Sequence, residues 1–278
     1  MAHNTAMMHS AARLIHLVSR AALILPFLAL ATRPAHAAVD LDGKGVSIST
    51  PCLTRLHVAA STDIHGAAQL PDALPSGVTA TVGKDNVIYI TQANCTAATP
   101  LASALTVTTR PTTPLTIDNA DRTAVLLDDR KSTVFIRAGS APVEMGKAGE
   151  LGLVSTSTGP ITIRILSDSA RIRSETAAPV TIRAITAPAL ALYLGGSATF
   201  TAQSGHLQAL EITSASTGNA VMHGNTDVGV FHVMSSGSII VDKVGDTLAT
   251  ERDGSGKIIP DASAPPPRTH ADRVTAIP

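Results

Sequence analysis

The chain has 278 residues, with 21 basic and 21 acidic side chains, and only 2% of it is aromatic, with no tryptophan. So even a charge balance leaves no electrostatic footprint for nucleic acid or anionic lipid, and neither is expected as a partner. The length fits one elongated domain or two compact ones.

The first 20 residues carry Arg13 and Arg20 and no acid; the apolar run Ala21–Leu30 follows, and then Ala35-His36-Ala37. A basic start, a short apolar centre and an Ala-x-Ala end are the three parts of a secretory signal peptide, with cleavage expected after Ala37 or Ala38. The apolar run is about half of the roughly 20 residues that a membrane-spanning helix requires. Residues 1–37 are therefore expected to be a removable export signal, and no cysteine lies near the cut to take a lipid. Removal takes three of the 21 basic residues and no acid, leaving 18 against 21. The expected location is outside the cytoplasm, in the periplasm, on the outer surface or secreted, with no membrane span once the signal is gone.

From about Cys52 to Leu248 the sequence runs in short alternating stretches of Val, Ile, Leu and Thr, broken by Gly, Ser, Asn, Asp and Pro. No stretch has helical period, so the exported part is expected to be all-β. The stretches recur: Pro142-Val-Glu-Met145, Pro160-Ile-Thr-Ile163 and Pro179-Val-Thr-Ile182 line up at offsets of 18 and 19 residues. The frame extends back to Val125-Leu-Leu127 and forward to Ala198-Thr-Phe200, Ala220-Val-Met222 and Ile239-Ile-Val241. A second strand precedes each, centred on Ile117, Ile136, Leu153, Ile172, Leu192, Ile212 and Val233, and small turn residues such as Thr156-Ser-Thr-Gly159 separate the two. A unit of about 19–20 residues with two strands and two turns is the signature of a solenoid, whose units bury their apolar faces only by stacking. The first and third residue of each run then face inward and the middle one outward. An antiparallel β-sandwich also has many short strands, but nothing in it demands turn chemistry and proline at constant spacing. The domain is read as a parallel β-solenoid over residues 38–250, and residues 251–278, with few apolar side chains and Pro265-Pro-Pro267, as a disordered tail.

The two cysteines, Cys52 and Cys95, lie in the exported part, where an oxidising compartment favours a disulfide between them. Their separation is about two rungs, farther than the roughly 7 Å between bridged Cα atoms allows. The bridge thus requires one long looped rung, which Leu70-Pro-Asp-Ala-Leu-Pro-Ser-Gly77 can supply.

With the repeat in view, Leu190-Ala-Leu-Tyr-Leu-Gly-Gly-Ser-Ala-Thr-Phe200, the segment Leu207–Val221 and Val233-Met-Ser-Ser-Gly-Ser-Ile-Ile240 resemble the bacterial auto-transporter adhesin head, or GIN, domain family. The resemblance covers roughly residues 50–248. It implies a right-handed parallel β-helix (β-solenoid) in an exported protein of the cell envelope, with no catalytic residues to carry over.

Parallel β-helices also house pectin-degrading enzymes, so the outward positions bear on function. One outward ladder reads Arg164, Arg183, Thr201, His223, Asp242; the other reads Glu144, Thr162, Thr181, Thr199, Val221, Ile240. Glycoside hydrolysis requires two carboxyl groups about 5–9.5 Å apart, and neither ladder offers such a pair. His223 and Asp242 are a weak binding candidate, and so are Arg164 and Arg183, with Glu175 placed to sit between the two arginines. His206, His223 and His232 are close in sequence, yet the first sits near a turn and the last in another strand, so they are read as surface histidines rather than as a metal site. Phe135, Phe200 and Phe231 fall in strands and are assigned to the core, which leaves few rings for stacking a sugar. Gly43-Lys-Gly45 and Gly83-Lys-Asp85 are turns, not phosphate loops. The expectation is a non-enzymatic, cofactor-free solenoid, adhesin-like or scaffolding, with an unidentified envelope or surface ligand and open strand edges for self-association. The alternative is a polysaccharide-active β-helix enzyme or lectin.

Overall fold

The computed structural model describes residues 38–262. The expected export signal, and the part of the expected tail beyond residue 262, lie outside the described residues.

In chain order the strands are β1 (Ala38–Leu41), β2 (Gly45–Ser49), β3 (Arg55–Ala60), β4 (Ala68–Pro71), β5 (Val78–Val82), β6 (Val87–Gln92) and β7 (Leu105–Thr109). Then come β8 (Leu115–Asn119), β9 (Ala124–Leu127), β10 (Val134–Ala138), β11 (Val143–Ala148), β12 (Leu151–Ser155), β13 (Ile161–Leu166) and β14 (Ala170–Ser174). The last are β15 (Pro179–Ile185), β16 (Ala189–Gly196), β17 (Thr199–Ala202), β18 (His206–Ser216), β19 (Ala220–Val233), β20 (Ile239–Arg252) and β21 (Ile258–Ile259). Among the described residues there is no helix, and hence none long and apolar enough to cross a membrane.

These strands stack as a parallel β-solenoid with two ladders. The first runs β6, β2, β8, β10, β12, β14, β16, β18 and the C-terminal halves of β19 and β20. The second runs β7, β3, β9, β11, β13, β15, β17, the N-terminal halves of β19 and β20, and β21. Alternation sends every second side chain inward, so Ile136, Leu153, Ile172, Leu192 and Ile212 of one ladder meet Met145, Ile163, Ile182 and Ala202 of the other in a core closed to solvent. Tight turn stacking asks for glycine: a Cβ on Gly237 would stand 2.0 Å from the Gly218 carbonyl oxygen, and one on Gly256 would stand 2.1 Å from that of Gly237.

The repeat frame holds from β8 onward, through Ile212, Ala220 and Ile239, and slips in two places. Val180 pairs with Phe200, and Ile182 with Ala202, so Ala198 belongs to the turn, two residues ahead of its expected place. Likewise Ile212 pairs with Phe231 rather than Val233. The coil also reaches beyond residue 250: β20 ends at Arg252, and Ile258–Ile259 pairs with Ile239–Ile240.

The N-terminal end is threaded out of order. The chain first lays down β2–β3, leaves the coil at Ala60, and returns as β6–β7 on the outer side of that rung. The excursion supplies the cap: β4 pairs antiparallel with β7, β1 with β4, and β5 with β6, and Ala67, Leu70 and Val78 close over the core. Residues 110–114 then cross past the rung β2–β3 to begin β8 on its other side. Cys52 and Cys95 lie in the turns of these two adjacent rungs and form a disulfide, Cα to Cα 5.8 Å, because the looped excursion over residues 61–86 places them one strand apart.

Two arginines reach across the inserted rung. Arg122 Nη2 donates to the carbonyls of Thr96 and Thr99, each at 2.8 Å. Arg130, fully buried, donates to Thr109 Oγ1 at 2.7 Å, to Arg110 O at 2.9 Å and to Thr113 O at 3.0 Å, pinning the crossing segment. Burial pushes the Arg130 guanidinium down to about 10.

Candidate functional site

The outer face of the first ladder is set by two rows of side chains. One reads Phe135, Gly152, Arg171, Ala191, Glu211, Val230. Its small members, with Ala189 and Ala209, form the floor of a trough of about 660 Å³ between Phe135 and Val230, where Glu150, Arg171 and Glu211 supply charge. Phe135 is therefore an outward residue and not a core one. The reason is local: Val134 and Ile136 on either side of it both point inward and are buried. Glycine at 152 is fitted to that ring, since a Cβ there would meet Phe135 Cδ2 at 3.0 Å.

The second row reads Val154, Arg173, Tyr193, Thr213, His232, Glu251. The Arg173 guanidinium lies 4.3 Å from the Tyr193 ring centroid, a cation–π contact. Its Nε also donates to Glu175 Oε1 at 2.5 Å, which holds the Arg173 guanidinium above its usual range. Glu175 is thus committed to Arg173 and does not sit between Arg164 and Arg183 as expected. The turn brings it back toward its own strand, two residues away. Arg171, Tyr193, Glu211 and Thr213 line a smaller recess beside the trough. Tyr193 escaped the sequence reading, although its place between the inward-facing Leu192 and Leu194 was a usable signal.

On the second ladder, Glu144, Thr162, Thr181 and Thr201 stand in one row, continued by Val221 and Ile240. Thr199 pairs with Pro179 and drops out of the row, and Thr201 leaves the arginine row, both through the two-residue slip at β17. Arg164 and Arg183 are level with each other across β13 and β15. They line a second trough of about 680 Å³ with Asp128, Asp129 and Glu144. Arg164 Nη2 donates to Asp129 Oδ1 at 2.5 Å, and the Lys147 backbone N–H donates to the same oxygen at 2.7 Å. The Arg164 bond first, and the Lys147 amide second, hold the Asp129 carboxyl below the usual carboxylate range. A depressed carboxyl contributes stability above its unfolded value near pH 4 and loses it as pH falls through the folded value. Asp129→Asn is accordingly expected to cost less than about 1 kcal/mol at pH 7, the pair being exposed, and less still at pH 2. Urea denaturation at the two pH values checks this, and an equal cost at both would refute it.

The histidines do not converge; each faces an acid. His206 Nε2 is 3.5 Å from Asp227 Oδ2, and His223 Nδ1 is 3.3 Å from Asp242 Oδ1. Asp242 Oδ2 also accepts from the Gly224 amide at 3.0 Å, which orients the carboxylate. His232 lies 2.9 Å from Asp253 and 3.8 Å from Glu251. The structure thus brings His223 and Asp242 together on adjacent rungs as expected, and it sets Arg164 against Asp129 instead of against an anion between two arginines.

No family model matches the sequence, and no curated protein matches it. Solved structures do. A candidate adhesin from Parabacteroides distasonis matches with a TM-score of 0.57 and 15% identity, covering 81% of this chain and 95% of that one. A candidate adhesin from Bacteroides fragilis matches with a TM-score of 0.50 and 16% identity over the same shares. The shared feature is the fold. A third, a candidate lipid-binding protein from Parabacteroides distasonis, has a TM-score of 0.49 and 11% identity, again over 81% of this chain and 95% of that one.

Proposed function

We propose that this protein is an exported, non-enzymatic β-solenoid of the GIN type that binds a cell-envelope or surface ligand, as an adhesin-like or scaffolding protein. Export rests on the three-part signal over residues 1–37. The adhesin-like reading draws support from the two candidate adhesins that share the fold. The observation that carries the reading is the trough on the first ladder, where a floor of Gly152, Ala189, Ala191 and Ala209 leaves room on a rigid surface between Phe135 and Val230. A floor built of stacked strands is fixed before any ligand arrives, so little conformational freedom is lost on contact. Glu150, Arg171 and Glu211 add orientation, and Tyr193 offers a ring next to the trough. A lectin reading follows from that last contact, since the recess joins a tyrosine to Arg171, Glu211 and Thr213, groups that hydrogen-bond sugar hydroxyls.

Ala191→Arg tests the site. Position 191 points outward, so the bulky side chain fills the trough and is expected to change stability by less than about 0.5 kcal/mol. The wild-type protein is expected to bind isolated envelope fragments in a sedimentation assay, and the variant at least about ten-fold more weakly, a loss of about 1.4 kcal/mol. Equal binding by the two proteins would remove the trough as the site. Release of reducing sugar from envelope polysaccharide by the wild type would replace the reading with the enzymatic one.

A further inference from the structure

We propose that His232, Glu251 and Asp253 form a binding site for a divalent transition ion of the zinc class at the C-terminal end of the coil. Each offers one ligand atom, and the three atoms lie within 4.8 Å of one another. The backbone sets this convergence. His232 and Glu251 are register partners on β19 and β20, and the Asp253 amide donates to Val233 O at 2.9 Å, fixing the residue that follows the strand. The His232 side chain is 26% exposed and held between two carboxylates.

Asp253 lies beside one ring nitrogen of His232 and Glu251 beside the other, at 2.9 and 3.8 Å. Bound to an ion, the imidazole is neutral, and the ring nitrogen beside Asp253 turns its lone pair into the space shared with that carboxylate. A cation placed among the three groups satisfies that lone pair and offsets the repulsion between the two acids. A single ion uses one ring nitrogen, and the three ligand atoms, within 4.8 Å of one another, close to the roughly 3.3 Å expected around a tetrahedral ion with bonds near 2.0–2.1 Å by rotation of the exposed Glu251 and Asp253 side chains. One imidazole and two carboxylates leave a position for water or for a donor on a partner. Bound there, the ion links β19, β20 and the exit turn at the open end of the first ladder. His206 with Asp227 and His223 with Asp242 each have one acid in contact, too few for the same site.

The test is titration of untagged, chelator-stripped protein with zinc chloride by calorimetry, with calcium chloride as the control. The expected result is saturable zinc binding at one site, a rise in Tm of about 2–4 °C with zinc in excess, and little response to calcium. His232→Ala is expected to abolish the calorimetric signal, and Glu251→Gln and Asp253→Asn each to weaken it by about ten-fold or more. All three changes are at or near the surface, so circular dichroism should show an intact fold. No saturable zinc binding, binding that survives His232→Ala, or a preference for calcium would each overturn the proposal. Envelope binding by Ala191→Arg reads the trough, in the adjacent row of the same outer face, and is independent of this result.

Discussion

Replacing Cys52 and Cys95 together by alanine is expected to lower the stability of the N-terminal end by about 4 kcal/mol, the loop-closure value for a bridge of this span. The sequence separation is 43 residues, and the excursion that closes the loop contributes the cap itself. Without the bridge, the rung β6–β7 is held by stacking on β2–β3 and by the Arg122 bonds to Thr96 and Thr99. Guanidinium denaturation of the double variant should show the loss. Hydrogen exchange should place it in residues 45–109, leaving the β12–β18 amides protected. A stability within about 1 kcal/mol of wild type would mean that stacking alone secures the end.

The second large effect belongs to Arg130. Its guanidinium donates to Thr109 Oγ1, Arg110 O and Thr113 O in a place closed to solvent. Arg130→Ala leaves these acceptors without their donor and opens a cavity. At about 1–3 kcal/mol for each unpaired acceptor, the expected loss is about 3 kcal/mol or more. Burial itself works against the wild type, since desolvation pushes the guanidinium down to about 10. Above that pH the unfolded chain still keeps a proton that the folded chain has released, so the burial penalty is relieved as pH climbs, and the wild-type advantage should widen. Denaturation of both proteins at pH 7 and pH 10.5 checks the size and the direction. A loss below about 1 kcal/mol would show that the crossing segment holds its place without this side chain.

Much of the coil was legible because its period is chemical as well as hydrophobic. Pro142, Pro160 and Pro179 mark the same place in successive rungs, and Val143, Ile161 and Val180 are true register partners. Reading failed where a slip of two residues costs no burial. Ala198, Phe200 and Ala202 are all buried, as are Phe231 and Val233, so alternation tells inside from outside but cannot choose between frames two residues apart. The same limit displaced Thr199 and Thr201 in the outer rows. Phe135 was placed in the core for another reason, as aromatic character was allowed to outweigh the alternation that Val134 and Ile136 make plain, and Tyr193, between Leu192 and Leu194, was not weighed. The end at β20–β21 was hidden by composition. Its last rung stacks Thr250 and Arg252 over Phe231 and Val233, polar side chains where earlier rungs carry apolar ones. The long looped rung demanded by Cys52 and Cys95 was inferred correctly, but its antiparallel pairing leaves no trace in a parallel repeat.

The insertion of β2–β3 between two later rungs also governs the order of events as the chain emerges from its amino end. Residues 45–60 come out first, yet their neighbours on both sides are residues 87–109 and 115–127. They must wait for later chain on both sides, from Gly45 to Val87 and from Leu56 to Leu105 on one, and from Val46 to Leu115 and from Arg55 to Ala124 on the other. The downstream rungs, each resting on a segment about 20 residues earlier, have no such delay, and contacts of short sequence separation form fastest. The coil therefore winds from its middle, and the end that leads the chain is among the last to close.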